Sequence, residues 1–199
     1  MKLLKILIKT LIFIIGTLIS LWLLMPWGAI GEYGVLSMER IASSRGFNIQ
    51  HSSVSGSWIG PTIRINGFTS RMAFGGGEFR TLSLSPSIIQ SFIQLSPVIS
   101  VSFTGGTLSL PGGNDADMGS GTVEISLRNG ILLLNNLKST GELSLDGNIA
   151  IDINGARIET ADLMIRSPER IETSLNSMRA ILPLIQESNG QWRLRRERS

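Results

Sequence analysis

Two periodicities divide the chain, one helical and apolar, the other alternating. Lys2, Lys5 and Lys9 are followed by no charge until Glu32, and the uncharged run Thr10–Gly31 is 22 residues of mostly Leu, Ile, Phe and Trp. About 20 apolar residues in a helix match a hydrocarbon core about 30 Å thick, so this run predicts a membrane span. Positive charge lies on its N-terminal side only, and positive flanks stay cytoplasmic. Residues 1–9 are therefore expected as a cytoplasmic stub, 10–31 as the anchor, and the rest on the far side. Trp22, Trp27 and Tyr33 sit where interfacial aromatics belong. Pro26, lacking an N–H, ends or kinks the helix there. A cleaved signal peptide is the competing reading, with Ala29–Ile30–Gly31 as small residues at a cleavage site. Its apolar region would be roughly 7–15 residues, shorter than this run. A single uncleaved span behind lysines points to a bacterial inner membrane, with the remaining domain in the periplasm.

Beyond the span, Val35, Leu36, Met38, Ile41 and Ala42 recur at helical spacing and Gly46 is a natural stop, predicting a juxtamembrane helix and linker over 32–46. The period then becomes two. Phe47, Ile49 and Val54 lead to a turn at Ser55–Gly56. Ile63 and Ile65 alternate with Arg64 and Asn66. Phe79, Leu82 and Leu84 precede Pro86; Val98, Val101 and Phe103 precede Gly105–Gly106; Leu108 and Leu110 precede Pro111. Val123, Ile125 and Leu127 alternate with Glu124, Ser126 and Arg128. Leu143, Leu145, Ile149, Ile151 and Ile153 share one parity. These are strands with one apolar and one wet face. Four Asn-Gly pairs, at 66–67, 129–130, 154–155 and 189–190, punctuate them. Asn-Gly supplies the positive φ of two-residue hairpins, which predicts an antiparallel meander. Asp146–Gly147 fits either a turn or a bulge inside one strand.

Two segments keep helical spacing. One is 87–95 between Pro86 and Pro97, with Ile88, Ile89, Phe92 and Ile93 on one face. The other is 167–185, with Ser167 as N-cap, Pro168 at the first helical position, Ile171, Leu175, Met178, Ile181, Leu182 and Ile185 at helical spacing, and Pro183 expected to kink or end it. Gln191–Arg195 reads as a last strand, and the glycine-rich Pro111–Gly121 as a flexible loop. The expected fold is mainly β: one N-terminal transmembrane helix, then an antiparallel meander forming a curved sheet or a sandwich, with one or two short helices. The β-rich periplasmic domain covers 47–192 and a basic tail 193–199.

Charge changes the picture little. The net +3 comes from the three anchor lysines, and the chain has no cysteine. Residues 32–192 carry 11 basic and 14 acidic groups, net −3, whereas 193–199 hold four arginines. A nucleic-acid binder needs a basic face on its folded domain; here only the tail is basic, open to solvent, a partner or anionic lipid. Without cysteine, thiol catalysis and thiolate metal sites are excluded.

Candidate chemistry is sparse. His51 is the one histidine, and a catalytic role needs a nucleophile or carboxylate beside it; beside a strand it reads as a surface or packing residue. Asp115 and Asp117 resemble half a calcium loop without the closing Glu. Gly75–Gly76–Gly77 has no following Gly-Lys-Ser/Thr and reads as a turn. Trp58, in a turn-rich setting, reads as a core cap or a plug for a partner surface. No catalytic, cofactor-binding or metal residue is assigned, and an enzyme is not expected.

The lysine start, the anchor ending near Pro26–Trp27, the segment Val54–Ser55–Gly56–Ser57–Trp58–Ile59–Gly60–Pro61, the glycine-punctuated strands, the late helix with Leu175 and Leu182, and Asn189–Gly190–Gln191–Trp192–Arg193–Leu194 together carry a resemblance. The chain resembles the type II secretion system protein N (general secretion pathway protein N) family over most of its length. The resemblance implies an inner-membrane accessory component of the machine that exports folded proteins. It would scaffold contacts to other secretion-system membrane subunits, without catalysis or cofactor. The same architecture is also similar to periplasmic β-rich lipid-transfer proteins of the AsmA-like class, whose curved strands form an apolar trough for acyl chains. That is the alternative, with a role in lipid transfer or outer-membrane biogenesis.

Overall fold

A computed structural model describes residues 2–44, 48–57, 61–72, 75–155, 157–180 and 182–197. Gly46 as helix stop, Phe47, Trp58 and Ile181 lie outside the described residues.

Two helices come first. Helix α1 spans Lys2–Leu24 and α2 spans Trp27–Ser44. Within α1, Lys5–Leu24 is 20 residues long, apolar enough to cross a membrane, and none of it is buried against the protein. The break at Met25–Pro26 divides the uncharged run. Residues 27–31, also uncharged, begin α2, which therefore starts five residues before the helix and linker expected over 32–46.

Among the described residues the remainder is a single open antiparallel sheet of 11 strands, not a sandwich. Strands β1 (Asn48–Gln50) and β2 (Ser53–Gly56) both pair with β3 (Ile63–Met72). A meander follows through β4 (Gly75–Pro86), β5 (Val98–Leu110), β6 (Asn114–Arg128), β7 (Ile131–Ser139), β8 (Ser144–Asp152) and β9 (Arg157–Arg166). Helix α3 (Ile88–Gln94) joins β4 to β5, and α4 (Glu169–Met178) follows β9. The hairpin β10 (Leu184–Ser188) and β11 (Gln191–Arg196) closes the order, β11 lying between β9 and β10.

The apolar parity reads across the strands as rows. Ile65 faces Leu82, which faces Phe103. Leu145 faces Ile165, which faces Trp192. Such cross-strand neighbours on one face are the unit of sheet stabilisation. The deepest part of the core gathers Phe103, Met118, Leu143, Leu163, Ile165, Trp192 and Leu194 with Ile171 and Leu175 of α4.

Several local expectations are corrected. Of the Asn-Gly pairs, Asn129–Gly130 makes the two-residue hairpin with both φ positive, 51° and 78°. Asn189–Gly190 also joins adjacent strands, but only its glycine has positive φ. Asn154–Gly155 lies in a longer connection, where Asp152 Oδ1 accepts from both backbone N–H groups. Asn66–Gly67 is no turn. It sits inside β3, where Gly67 (φ 59°) kinks the strand opposite the break between β1 and β2. Gly75–Gly76–Gly77 begins β4 instead of forming the turn. Gly105–Gly106 is a bulge within β5, with one residue too many between Phe103 and Gly106. Asp146–Gly147 runs inside β8; the bulge is across from it, at Asn136 (φ 53°) between Leu134 and Leu137 of β7. Bulges bend strands and increase twist.

Pro111–Gly121 is not a flexible loop either. Only Pro111–Gly113 turns; Asn114–Gly121 belongs to β6, with Ala116 and Met118 buried and Asp115 and Asp117 exposed. Small residues hid that alternation. Ser167 is not the cap of α4: Pro168 holds the cap position with extended backbone. The helix ends at Met178, and Leu184 and Ile185 are on β10, because Pro183 bars a continuing helix and β11 takes β10 as its neighbour. Strands β7 and β9 were not singled out by alternation, since Ile131–Leu134 and Leu163–Ile165 are unbroken apolar runs. Arg193, Arg195 and Arg196 are part of β11, not of a tail.

Candidate interaction surface

The junction between the two N-terminal helices is built from small residues and two tryptophans. Trp22 and Trp27 meet edge to face with centroids 4.9 Å apart, and Trp27 Nε1 donates to the Trp22 carbonyl at 3.0 Å across the break. From there α2 lies on the first strands. A Cβ on Gly56 would come 2.2 Å from the Gly28 backbone nitrogen, and one on Gly31 would come 2.5 Å from Ile63 Cγ2. Gly31, Val35 and Ala42 are the buried face of α2. Farther along, His51 Nδ1 lies 2.6 Å from Glu39 Oε1 and ties the start of the sheet to α2. His51 thus has a carboxylate partner, and the pair serves as a clamp. Helix α2 packs against β1, β2 and β3 at this end of the strand order, where β1 and β2 each pair only with β3 among the described residues.

The opposite end is held differently. Helix α4 is pinned over the sheet by polar contacts along its first six residues. Arg170 donates to the Asp115 carbonyl at 3.0 Å and pairs with Glu142. Asn114 Nδ2 donates to Ser174 Oγ at 3.0 Å, and the Gly190 N–H donates to Glu172 Oε1 at 2.6 Å. Glu169 and Glu172 in the first turn complement the helix dipole. Replacing Arg170 by alanine should cost at most about 1 kcal/mol, because its ion pair is half exposed. Urea unfolding of the R170A chain checks this, and a larger loss would show that α4 depends on that residue.

Beyond α4 is the outer edge of β10, with no strand beside it among the described residues. Ile185 on that strand is 54% exposed, and Gln186, Glu187 and Ser188 are exposed too. An unpaired strand edge is a template for an added strand. Arg193 braces it from β11, reaching Asp162 at 2.9 Å and Glu187 at 3.4 Å. Its hydrogen bond to Asp162, then that carboxylate's charge, raises the guanidinium pKa above its ordinary value. Arg193, Arg195 and Asp162 also border a groove of about 480 Å³.

The residues considered for chemistry are not brought together. Asp115 Oδ1 accepts from Ser109 Oγ at 2.7 Å and Asp117 Oδ1 from the Gly119 N–H at 2.7 Å, both within the sheet. No group of three or more His, Asp or Glu among the described residues is arranged to hold a metal ion. Sequence reasoning missed the edge residue Ile185, which it placed on a helix, and the Gly28–Gly56 contact, whose only signal was glycine in an otherwise good helix.

No curated protein and no solved structure matches the chain. A family model described as "Type II secretion system protein GspN-like, Synergistales" matches residues 4–196, nearly the whole chain, and so includes the apolar helix, the sheet and the closing hairpin. The chain therefore belongs to the GspN-like family of type II secretion system proteins.

Proposed function

We propose that the chain is an inner-membrane-anchored, periplasmic accessory subunit of a type II secretion system that scaffolds contacts to other membrane subunits. The observation that supports this best is the asymmetry of the sheet. One end is fastened through α2 to the apolar α1, and the other presents β10 unpaired. An element held at a membrane with a free strand edge is suited to positioning a partner by strand addition. Pull-down of the full chain from detergent-solubilised membranes should recover other secretion-system subunits, and Ile185→Lys should reduce that recovery. Recovery of none would count against the secretion role, and full recovery with I185K would remove β10 from it.

The apolar-trough alternative keeps one supporting feature, the half-buried Leu82, Leu84 and Ile125 on the apolar face. The same face toward the C-terminus is already filled by Ile171 and Leu175 of α4. Mass spectrometry of the purified full chain would favour that alternative if lipid stays bound in stoichiometric amount after detergent exchange.

A further inference from the structure

Helix α3 buries none of its residues. Ile89 is 75% exposed and Phe92 76%, with Ile88 and Ile93 also exposed, and Leu95 just after the helix is 92% exposed. The segment is not loosely attached. Ser91 Oγ donates to the Ser87 carbonyl at 2.7 Å and accepts from the Val98 N–H at 2.9 Å, and the Ser87 N–H donates to the Val98 carbonyl at 2.8 Å. Leu95 itself adopts φ 50°, the left-handed C-cap conformation that glycine usually takes. A leucine kept in a strained backbone position with its side chain in the open points to a use for that side chain. Water is a poor surrounding for such a patch.

What lies beside α3 identifies the surrounding. Trp22, near the end of the apolar α1, and Phe92 border one groove of about 430 Å³. No residue from Thr81 to Asn114 is charged. The registers place Ile99, Leu127 and Ile153, all exposed, at the same end of the sheet as α3. The end of β2 and the start of β3, against which the start of α2 packs, are at that end too. Among the described residues, the exposed large apolar side chains of the sheet domain are thus gathered, Ile185 apart, at the end from which α1 departs.

We propose that α3 with Leu95 inserts into the lipid leaflet in which α1 ends, so that the domain sits on the bilayer through a second apolar element. The rest of that sheet end then faces the lipid surface. This rests on the reading of α1 as a membrane span. Short apolar elements flanked by Trp gain by burial at the headgroup and acyl boundary. Two attachment points fix the tilt of the sheet, and therefore the direction in which β10 is offered, where one helix would leave it free to swing.

The chain has no cysteine, so a nitroxide can be introduced at one site at a time in the full chain, reconstituted in phosphatidylethanolamine–phosphatidylglycerol vesicles. Labels at Ile89→Cys and Phe92→Cys are compared with Ile12→Cys in α1 and Asn189→Cys at the opposite end of the sheet. All four are exposed positions, so labelling removes no packing. The expected result is an oxygen collision rate at Ile89 and Phe92 raised above that at Asn189 toward that at Ile12, with loss of access to a water-soluble nickel reagent that still reaches Asn189. Water-like values at Ile89 and Phe92 with Ile12 in lipid would overturn the proposal and leave the span standing. Spin–spin broadening at Phe92 that vanishes on dilution with unlabelled chain would assign the face to a second copy, and would also overturn it. A water-like Ile12 would remove the span and this proposal together.

Discussion

Replacing Trp192 by alanine is expected to cost about 3–5 kcal/mol, the range for deleting a fully buried large aromatic. Trp192 is 0% exposed and packs in the cluster with Leu163, Ile165, Leu194 and the α4 residues Ile171 and Leu175. It lies on β11, which joins β9 to β10, so the cavity would open beneath α4 and beside the edge strand. A domain is stable by about 5–15 kcal/mol in total, so this loss takes a large share. Trp192→Phe is expected to cost much less than half as much. Its ring keeps most of the volume, and the indole N–H it deletes is buried with no hydrogen-bond partner among the described residues. Leaving such a donor unsatisfied costs about 1–3 kcal/mol, which phenylalanine recovers against its smaller size. Urea unfolding of the full chain in detergent, followed by far-UV circular dichroism, checks both. Equal losses for W192A and W192F would mean that the N–H is satisfied and the volume argument incomplete.

The second large effect is expected at Gly56. Its added Cβ would stand 2.2 Å from the Gly28 nitrogen, 2.8 Å from the Trp27 carbonyl carbon and 2.9 Å from the Gly28 Cα. All three are backbone atoms, and no rotamer change relieves the clash. Gly56→Ala should therefore lift the first turn of α2 off β2, with the 1–3 kcal/mol penalty usual for overpacking as a lower bound of about 1 kcal/mol. Gly34→Ala on the same helix is the control. Nothing lies within 4 Å of its added Cβ, and alanine in a helix interior is better than glycine by about 1 kcal/mol. Limited proteolysis near the α1–α2 break should accelerate for G56A and slow or stay unchanged for G34A. Should G56A leave cleavage unaltered, α2 would not be held to the sheet by this contact.

The same two sites separate what could be read from the chain from what could not. Trp192 was legible as part of a last strand, because Gln191–Arg195 alternates. Its burial was not, because that depends on α4 lying over it. The Asn129–Gly130 hairpin was legible because its geometry needs only the two residues that form it. Asn66–Gly67 is the same dipeptide and makes no turn, since its flanks pair with β4 continuously. Pro111–Gly121 looked like a loop because glycine and alanine carry almost no periodic signal, yet Ala116 is completely buried. Leu182 and Ile185 kept helical phase with Ile171, but the helix ends at Met178 because Pro183 follows and β11 pairs with β10.

The sequence alone determined the apolar helix, the β-rich character, the short helix between Pro86 and Pro97 and the kinship with the type II secretion family. Each of these is written in local patterns, a run of apolar residues, a period of two or a segment bounded by prolines, and local patterns act on their own stretch of chain. Only the tertiary structure decided that the uncharged run is shared between α1 and a docked α2, that one end of the sheet is fastened to α2 and the other presents β10 unpaired, and that α3 stands exposed beside Trp22. These depend on close approach between residues far apart in sequence, such as Gly28 with Gly56 or Glu172 with Gly190, and no single stretch carries that information.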